Sequence, residues 1–411
     1  MRLYLVAGKV TDSVTHGFLP AAACLGLEVT VLTDRPGDHD RAYESLSTTS
    51  GVPCRVSVVG CEVTDFREIV EHARTPDAIF SNSDHLQTPT ALAAAYFGLP
   101  AKDWRAATRT KNKALMRRHL ADLGLDRVST GDPADPVPFP AVLKPREGVA
   151  SEDVFLVSDA AELSGRVAEI RRRRTDPLVL EEYLPGSLHT LETLGDERRL
   201  AVLGSFRTAL SPPPYFIEER LDWAPPPAEI GQVLTQLAAL GVGFGACHTE
   251  FVVHEGRARL IEVNYRVIGD HGDFLLADLL GLPVFEHILR LHLGDSLDEL
   301  LPRDAGFPRD DHAVGENFPA RLRHEAKITH AAMDNVLADR SGTLTVAPGP
   351  VERKTGGVRL TYRPLRAPGD RITLTRTNRD YLGIIQVIAP SPEGVETALQ
   401  DFRAEHTWEI R

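Results

Sequence analysis

At 411 residues, with 42% hydrophobic and 25% charged side chains, the chain is long enough for roughly two to four compact units and too apolar for disorder to dominate. Its formal net charge of −12 argues against a nonspecific nucleic-acid binder and against docking to an anionic membrane, because both need basic patches. No apolar run approaches a membrane span, residues 3–7 are too short for a signal h-region, and four cysteines (24, 54, 61, 247) without a close pair fit reduced thiols in a cytoplasmic protein.

In chain order, an apolar strand over 3–7, a helix over 17–25, strands over 28–32 and 78–80 and a helix over 88–97 make a β–α–β rhythm. That rhythm predicts a parallel sheet with helices on both faces, ending near residue 105. The stretch after the first strand, Val10-Thr-Asp-Ser-Val-Thr-His-Gly17, lacks Gly-x-Gly-x-x-Gly, which weighs against a dinucleotide oxidoreductase.

A second unit, 106–300, carries the polar motifs. Asn112-Lys113 opens a helix through 124, with Leu115, Leu120 and Leu123 near helical spacing. A lysine in a first turn opposes the helix dipole unless an anion lies there, although an exposed lysine in a basic run explains Lys113 equally well. Lys144 ends the apolar strand 139–145 in a chain of 39 Arg and seven Lys. A compact ammonium there suits phosphate oxygens, and Pro145 keeps the backbone extended; a solvated strand end is the plain alternative. The small-residue loop 146–154, including Ser151, can bring backbone N–H groups to phosphates. A helix over 160–173 follows, and Arg171 to Arg174 read as its solvated end. The strand 200–205 is expected to pair with a preceding strand, and 211–218 is a proline-stiffened loop.

The most telling stretch is Glu262-Val-Asn264-Tyr-Arg266. Strand alternation puts Glu262, Asn264 and Arg266 on one face and Ile261, Val263 and Tyr265 on the other. Residues 248–253 read as the preceding strand and 254–257 as the tight connection. An odd number of loop residues would make Glu250 and Glu262 a direct cross-strand pair; an even number would put them on opposite faces. The odd loop is expected. Paired carboxylates repel, and Mg²⁺, which bridges a few carboxylates to substrate phosphates, relieves them. An exposed sheet face that happens to carry Glu, Asn and Arg is the bland alternative. After a linker around 301–311, a third unit is β-rich (358–362, 372–375, 383–389) and closes with a helix starting at Ser391-Pro-Glu393.

Asn112-Lys113 with Met116-Arg117, the strand 139–145, Leu178-Val-Leu-Glu-Glu-Tyr-Leu-Pro-Gly186, and His248-x-Glu250 followed by Ile261-Glu-Val-Asn-Tyr-Arg266 resemble, in order and spacing, the ATP-grasp superfamily of carboxylate-amine ligases. The resemblance covers nearly the whole chain. It implies an α/β and α+β multidomain architecture: a Rossmann-like domain over 1–105, the ATP-grasp nucleotide-binding domain over 106–300 and a β-rich domain over 301–411. By it, Lys113 and Lys144 hold the ATP phosphates, helped by Ser151. Glu181, Glu182, Tyr183 and Leu184 form the hinge against adenine; Glu250, Glu262 and Asn264 hold Mg²⁺, as two ions, with Mn²⁺ an alternative. Arg266 stabilises the transferring phosphoryl group and, with Lys144, is catalytic.

The sequence departs from the family pattern in three places. The phosphate loop keeps only Gly148 and carries Glu147, Glu152 and Asp153. No acid closely follows the hinge glycine, which leaves His189 or Glu192 for ribose. Asn264-Tyr-Arg266 with Gly269-Asp270 replaces Asn-Pro-Arg with paired glycines, a pattern similar to that of siderophore-pathway ligases; the resemblance implies either that type or the L-amino acid ligase type.

The implied reaction joins a carboxylic acid to an amine, an amino acid by preference, through an acyl phosphate, with release of ADP and phosphate. It requires no side-chain nucleophile. Arg207 is a candidate for a second substrate carboxylate, Glu218 and Asp270 for an ammonium group, and His248 for orienting Glu250. A nucleotide-binding regulator that kept the cradle without the chemistry is the competing class, and a homodimer is what analogy with the family suggests.

Overall fold

The computed structural model describes residues 1–49, 56–301 and 330–411; Cys54 and most of the 301–311 linker fall outside the described residues. The first unit is a parallel sheet in the order Val56–Gly60, Glu28–Thr33, Arg2–Val6, Ala78–Phe80. Its first strand is apolar on both faces: Leu3 and Leu5 pack with Phe18 and Phe80, and Tyr4 and Val6 with Ile69 and Ile79. Burial on both faces is what a parallel sheet requires. The helix expected over 17–25 begins earlier, as a wide turn over Ser13–Phe18 that runs into Leu19–Cys24. Pro36–Thr49, Val56–Gly60, Phe66–His72 and Trp104–Lys111 are further elements of this region beyond those expected from the sequence.

A small antiparallel sheet follows, ordered Thr130–Gly131, Leu178–Glu182, Ala141–Pro145, Phe155–Val157. The helix Ala160–Arg171 backs it, capped by Asp159, whose carboxylate accepts from the N–H groups of Ala161 and Glu162. Ten further strands form one sheet that runs from Arg257–Asn264 through Phe244–His254 and Ser187–Asp196 to Tyr381–Ala389 and Val351–Thr355. The expected strand near 200–205 is Leu200–Gly204, paired with Ser187–Asp196. A single sheet spans the division drawn at residue 300, because Glu218–Trp223 pairs with His330–Leu337. The terminal helix Pro392–Glu405 has Ser391 as its cap and proline in the first turn.

The Glu250–Glu262 hairpin reaches the expected pairing by a different route. Its loop is even, two residues, with His254 opposite Arg257 and with Glu255 (φ 50) and Gly256 (φ 71) both left-handed. Two left-handed residues match the right-handed twist of a two-residue hairpin. That register alone would set Ile261 opposite Glu250. A bulge between Glu250 and Phe251 shifts it by one, so Glu250 lies opposite Glu262 and His248 opposite Asn264. Ile261 is the extra residue, and it lines the cleft instead of joining Val263 and Tyr265 in the core behind.

Candidate active site

A cleft of about 1090 Å³ opens where the small sheet, the ten-stranded sheet and the carboxyl ends of the parallel strands meet. Ligands of open parallel sheets bind at those carboxyl ends, and here the loops around Gly8–Ser13, Asp34–Arg35 and Asn82–His85 form that wall. Lys113, Lys144, Ser151, Glu181–Leu184, Glu218, Glu250, Glu262, Asn264, Arg266 and Asp270 all line the cleft. His189 and Arg207 do not. Thr190 lies opposite Glu250 in the ladder, so Leu188 and Thr190 share the cleft face while His189 faces away, stacked on Phe251. Arg207 pairs with His189 on that same far side and is exposed, near Asp222.

Each lysine is already engaged with a carboxylate. Lys113, at the start of the helix Lys113–Asp122 capped by Asn112, reaches across to Glu262 Oε1 at 2.8 Å. Lys144 Nζ lies 2.7 Å from Glu181 Oε2, and Arg117 holds the same carboxylate through Nε at 2.9 Å and a terminal nitrogen at 3.0 Å. All three side chains are buried. Burial would raise the Glu181 carboxyl, but the two cations reverse this and hold it at about 2. Glu181 is thus a counter-ion beneath the cleft. The flat surface of the hinge is left to Glu182, Tyr183 and Leu184 with Val142, Val252 and Ile261. Glu182 is fixed by Arg259 at 2.7 Å.

At the carboxylate end, Asn264 Nδ2 donates to Glu250 Oε1 at 3.3 Å. His248 stands beside Glu250, with Nε2 at 3.6 Å, and is anchored through Nδ1 to buried Glu192 at 2.7 Å. Burial would discharge the imidazole; the two glutamates overcome that and push it up to about 10. Glu192 is thereby committed to His248, which places the ribose candidate of the sequence in the interior. Glu218 is pushed up to about 8 by burial, with Glu250 and Asp270 adding to the shift. Asp270 is exposed on a turn where it and His271 are both left-handed (φ 50 and 65). Arg266 meets an aspartate that the sequence did not suggest: its Nε donates to Asp84 Oδ2 at 3.0 Å.

The acidic phosphate loop is explained by where its carboxylates go. Glu147 accepts from Asn112 Nδ2 at 2.8 Å, Glu152 is bound by Arg379, and Asp153 is held by Arg173 at 2.5 Å and Arg174 at 3.2 Å. Arg173 and Arg174 therefore anchor the loop instead of merely ending a helix. Ser151 Oγ donates to Phe216 O at 2.7 Å, which ties its hydroxyl to the neighbouring loop.

Among the described residues, no three His, Cys, Asp or Glu side chains gather closely enough to enclose a metal alone. Glu250, Glu262 and Asn264 instead offer an all-oxygen donor set, open to the cleft on one side. That suits a hard cation which keeps waters and substrate phosphates as its other ligands, as Mg²⁺ does, and does not suit zinc. Among the described residues no helix is long and apolar enough to cross a membrane.

No family model matches the chain. An uncharacterized protein, y4rH, of Sinorhizobium fredii (strain NBRC 101917 / NGR234) is 28% identical over 446 residues, which cover 100% of this chain and 84% of that protein. Among solved structures, an L-amino acid ligase from Bacillus licheniformis matches with a TM-score of 0.72 at 20% identity, over 100% of this chain and 98% of that one. The biotin carboxylase domain dimer of Hydrogenobacter thermophilus 2-oxoglutarate carboxylase, in complex with MgADP, ADP and bicarbonate, matches with a TM-score of 0.67 at 17% identity, over 100% and 90%. The chain has the ATP-grasp fold.

Proposed function

We propose that this chain is an ATP-dependent carboxylate–amine ligase that forms an amide or peptide bond and releases ADP and phosphate. The observation that carries the reading is the convergence of Lys113, Lys144, Glu250, Glu262, Asn264 and Arg266 on one cleft of an ATP-grasp fold. Phosphoryl transfer asks the protein mainly for positioning and charge neutralisation, and those are the resources this cleft holds. Adenine lies along Tyr183 and Leu184 against Ile261 and Val252, and Lys113 and Lys144 face the phosphates. Glu250, Glu262 and Asn264 would hold Mg²⁺, which supplies neutralisation of the phosphate oxygens when bound.

The substrate carboxylate attacks the γ-phosphorus, giving an acyl phosphate and ADP. The amine nitrogen then attacks the acyl carbon, loses its proton and expels phosphate. An arginine has five N–H donors. Arg266 donates one to Asp84 and one to Val267 O at 2.8 Å, and its second terminal nitrogen lies 3.0 Å from the same Asp84 oxygen, so two remain for the phosphoryl oxygens even when that contact is counted as spent. The L-amino acid ligase likeness favours an amino acid as the amine, and the domain dimer in the second comparison favours self-association of this chain.

The test is ADP release from Mg·ATP across a matrix of acids and amines, with mass spectrometry of the products. Release that requires both an acid and an amine, together with their condensation mass, is the expected result. Nucleotide binding without acid- and amine-dependent release would refute the reading.

A further inference from the structure

Arg266 lies two residues beyond the strand Arg257–Asn264, where the ladder no longer fixes it. The first unit fixes it instead. Arg266 Nε donates to Asp84 Oδ2 at 3.0 Å, and Nη2 lies 3.0 Å from the same oxygen. Asp84 opens the short turn Asp84–Leu86 that follows the strand Ala78–Phe80. That turn is pinned by Gln87, whose Nε2 donates to Ser81 O at 3.0 Å and Ser83 O at 2.9 Å.

Gln87 Oε1 accepts from buried Lys102 at 2.7 Å, and the same Nζ donates to the carbonyl of Tyr265, the residue before Arg266. The contacts close a ring through Asp84, Arg266, Tyr265, Lys102 and Gln87. Both the backbone entering the arginine and the guanidinium itself are therefore held by residues 81–102, in addition to the bond to Val267 O. A long cation held this way has surrendered its rotamer freedom before substrate arrives, and such preorganised donors stabilise charge that develops in a transition state.

We propose that Asp84 is a positioning residue for the reaction. It acts through Arg266 by aiming the two uncommitted N–H groups into the cleft, so that the parallel-sheet unit governs turnover in the nucleotide-binding unit. This rests on the role given to Arg266 above. An ion pair that only docked one unit on the other would use the same atoms, and the kinetics separate the two cases.

The experiment compares full-length wild type with Asp84→Asn, Asp84→Glu, Arg266→Ala and the Asp84→Asn/Arg266→Ala double variant in acid- and amine-dependent ADP release. Thermal midpoints and ATP affinity are measured alongside. Asp84→Asn should lower kcat about tenfold to a hundredfold, the scale of a displaced catalytic group, with ATP affinity within about threefold. Asp84→Glu should recover part of the loss. The double variant should be no slower than Arg266→Ala alone, because one residue acts through the other.

Turnover by Asp84→Asn within about twofold of wild type would overturn the proposal, as would a double variant slower than Arg266→Ala by the full Asp84→Asn factor. The near-isosteric asparagine keeps an acceptor oxygen, so the folded state survives. Should Arg266→Ala be inert and Asp84→Asn unimpaired, the positioning role alone falls. Should wild type release no ADP with any acid and amine, the functional reading falls and takes this role with it.

Discussion

Replacing Glu181 by glutamine should destabilise the small sheet in a way that depends on pH. The Glu181 carboxylate is buried 2.9 Å from Arg117 Nε and 2.7 Å from Lys144 Nζ. Burial raises its pKa, the two cations more than compensate, and it rests at about 2 against an ordinary 4.5. At about 1.4 kcal/mol per tenfold, that interval corresponds to on the order of 3 kcal/mol. The folded-state pKa is depressed, so the stabilisation is present above about pH 4.5 and is lost as pH falls through about 2. Glutamine removes it at every pH and leaves two buried cations with a neutral acceptor. The variant should lose up to about 3 kcal/mol at pH 7 and approach wild type near pH 2. Amide hydrogen exchange at Leu143 and Leu180, opposite each other in the ladder, reads this locally. A deficit below about 0.5 kcal/mol at pH 7, or one that does not shrink in acid, would refute the account.

Glu262→Gln removes a carboxylate from the oxygen donor set and the partner of Lys113 together. The Mg²⁺ concentration for half-maximal ADP release should rise about tenfold or more, since even supporting groups of metal sites cost that much; an unchanged titration would remove Glu262 from the metal. Arg379→Ala frees Glu152 and with it one anchor of the 146–154 loop. The pair is partly exposed, so its worth is about 1 kcal/mol or less. ATP affinity by calorimetry should weaken by no more than about fivefold while hydrogen exchange over 146–154 increases, and unaltered exchange there would mean the anchor is idle.

Local chemistry made the site's inventory legible in the sequence, and long-range register decided its geometry. Glu250, Glu262, Asn264 and Arg266 were readable because alternation along one strand is a local rule. Their direct pairing was expected, but by way of an odd loop; the even loop and the bulge at Ile261 instead shift the register in opposite senses and arrive at the same pair. His189 and Arg207 show the same limit: which side of a strand faces the cleft follows from Thr190 lying opposite Glu250, a tertiary fact. The acids of the phosphate loop looked out of place only because their partners Arg173, Arg174 and Arg379 lie 20 to 227 positions away. Asp84 had a physical signal that could have found it, since it stands just past the carboxyl end of a parallel strand, where such sheets place their ligands. The cleft is thus assembled largely from pairings of opposite charge made across the fold. In Lys113–Glu262, Lys144–Glu181 and Arg266–Asp84, a carboxylate holds each cation in place. Charge neutralised in pairs lets Lys113 and Lys144 stay buried and Arg266 half-buried, and a triphosphate with its metal can then enter by exchanging partners with charges already in place.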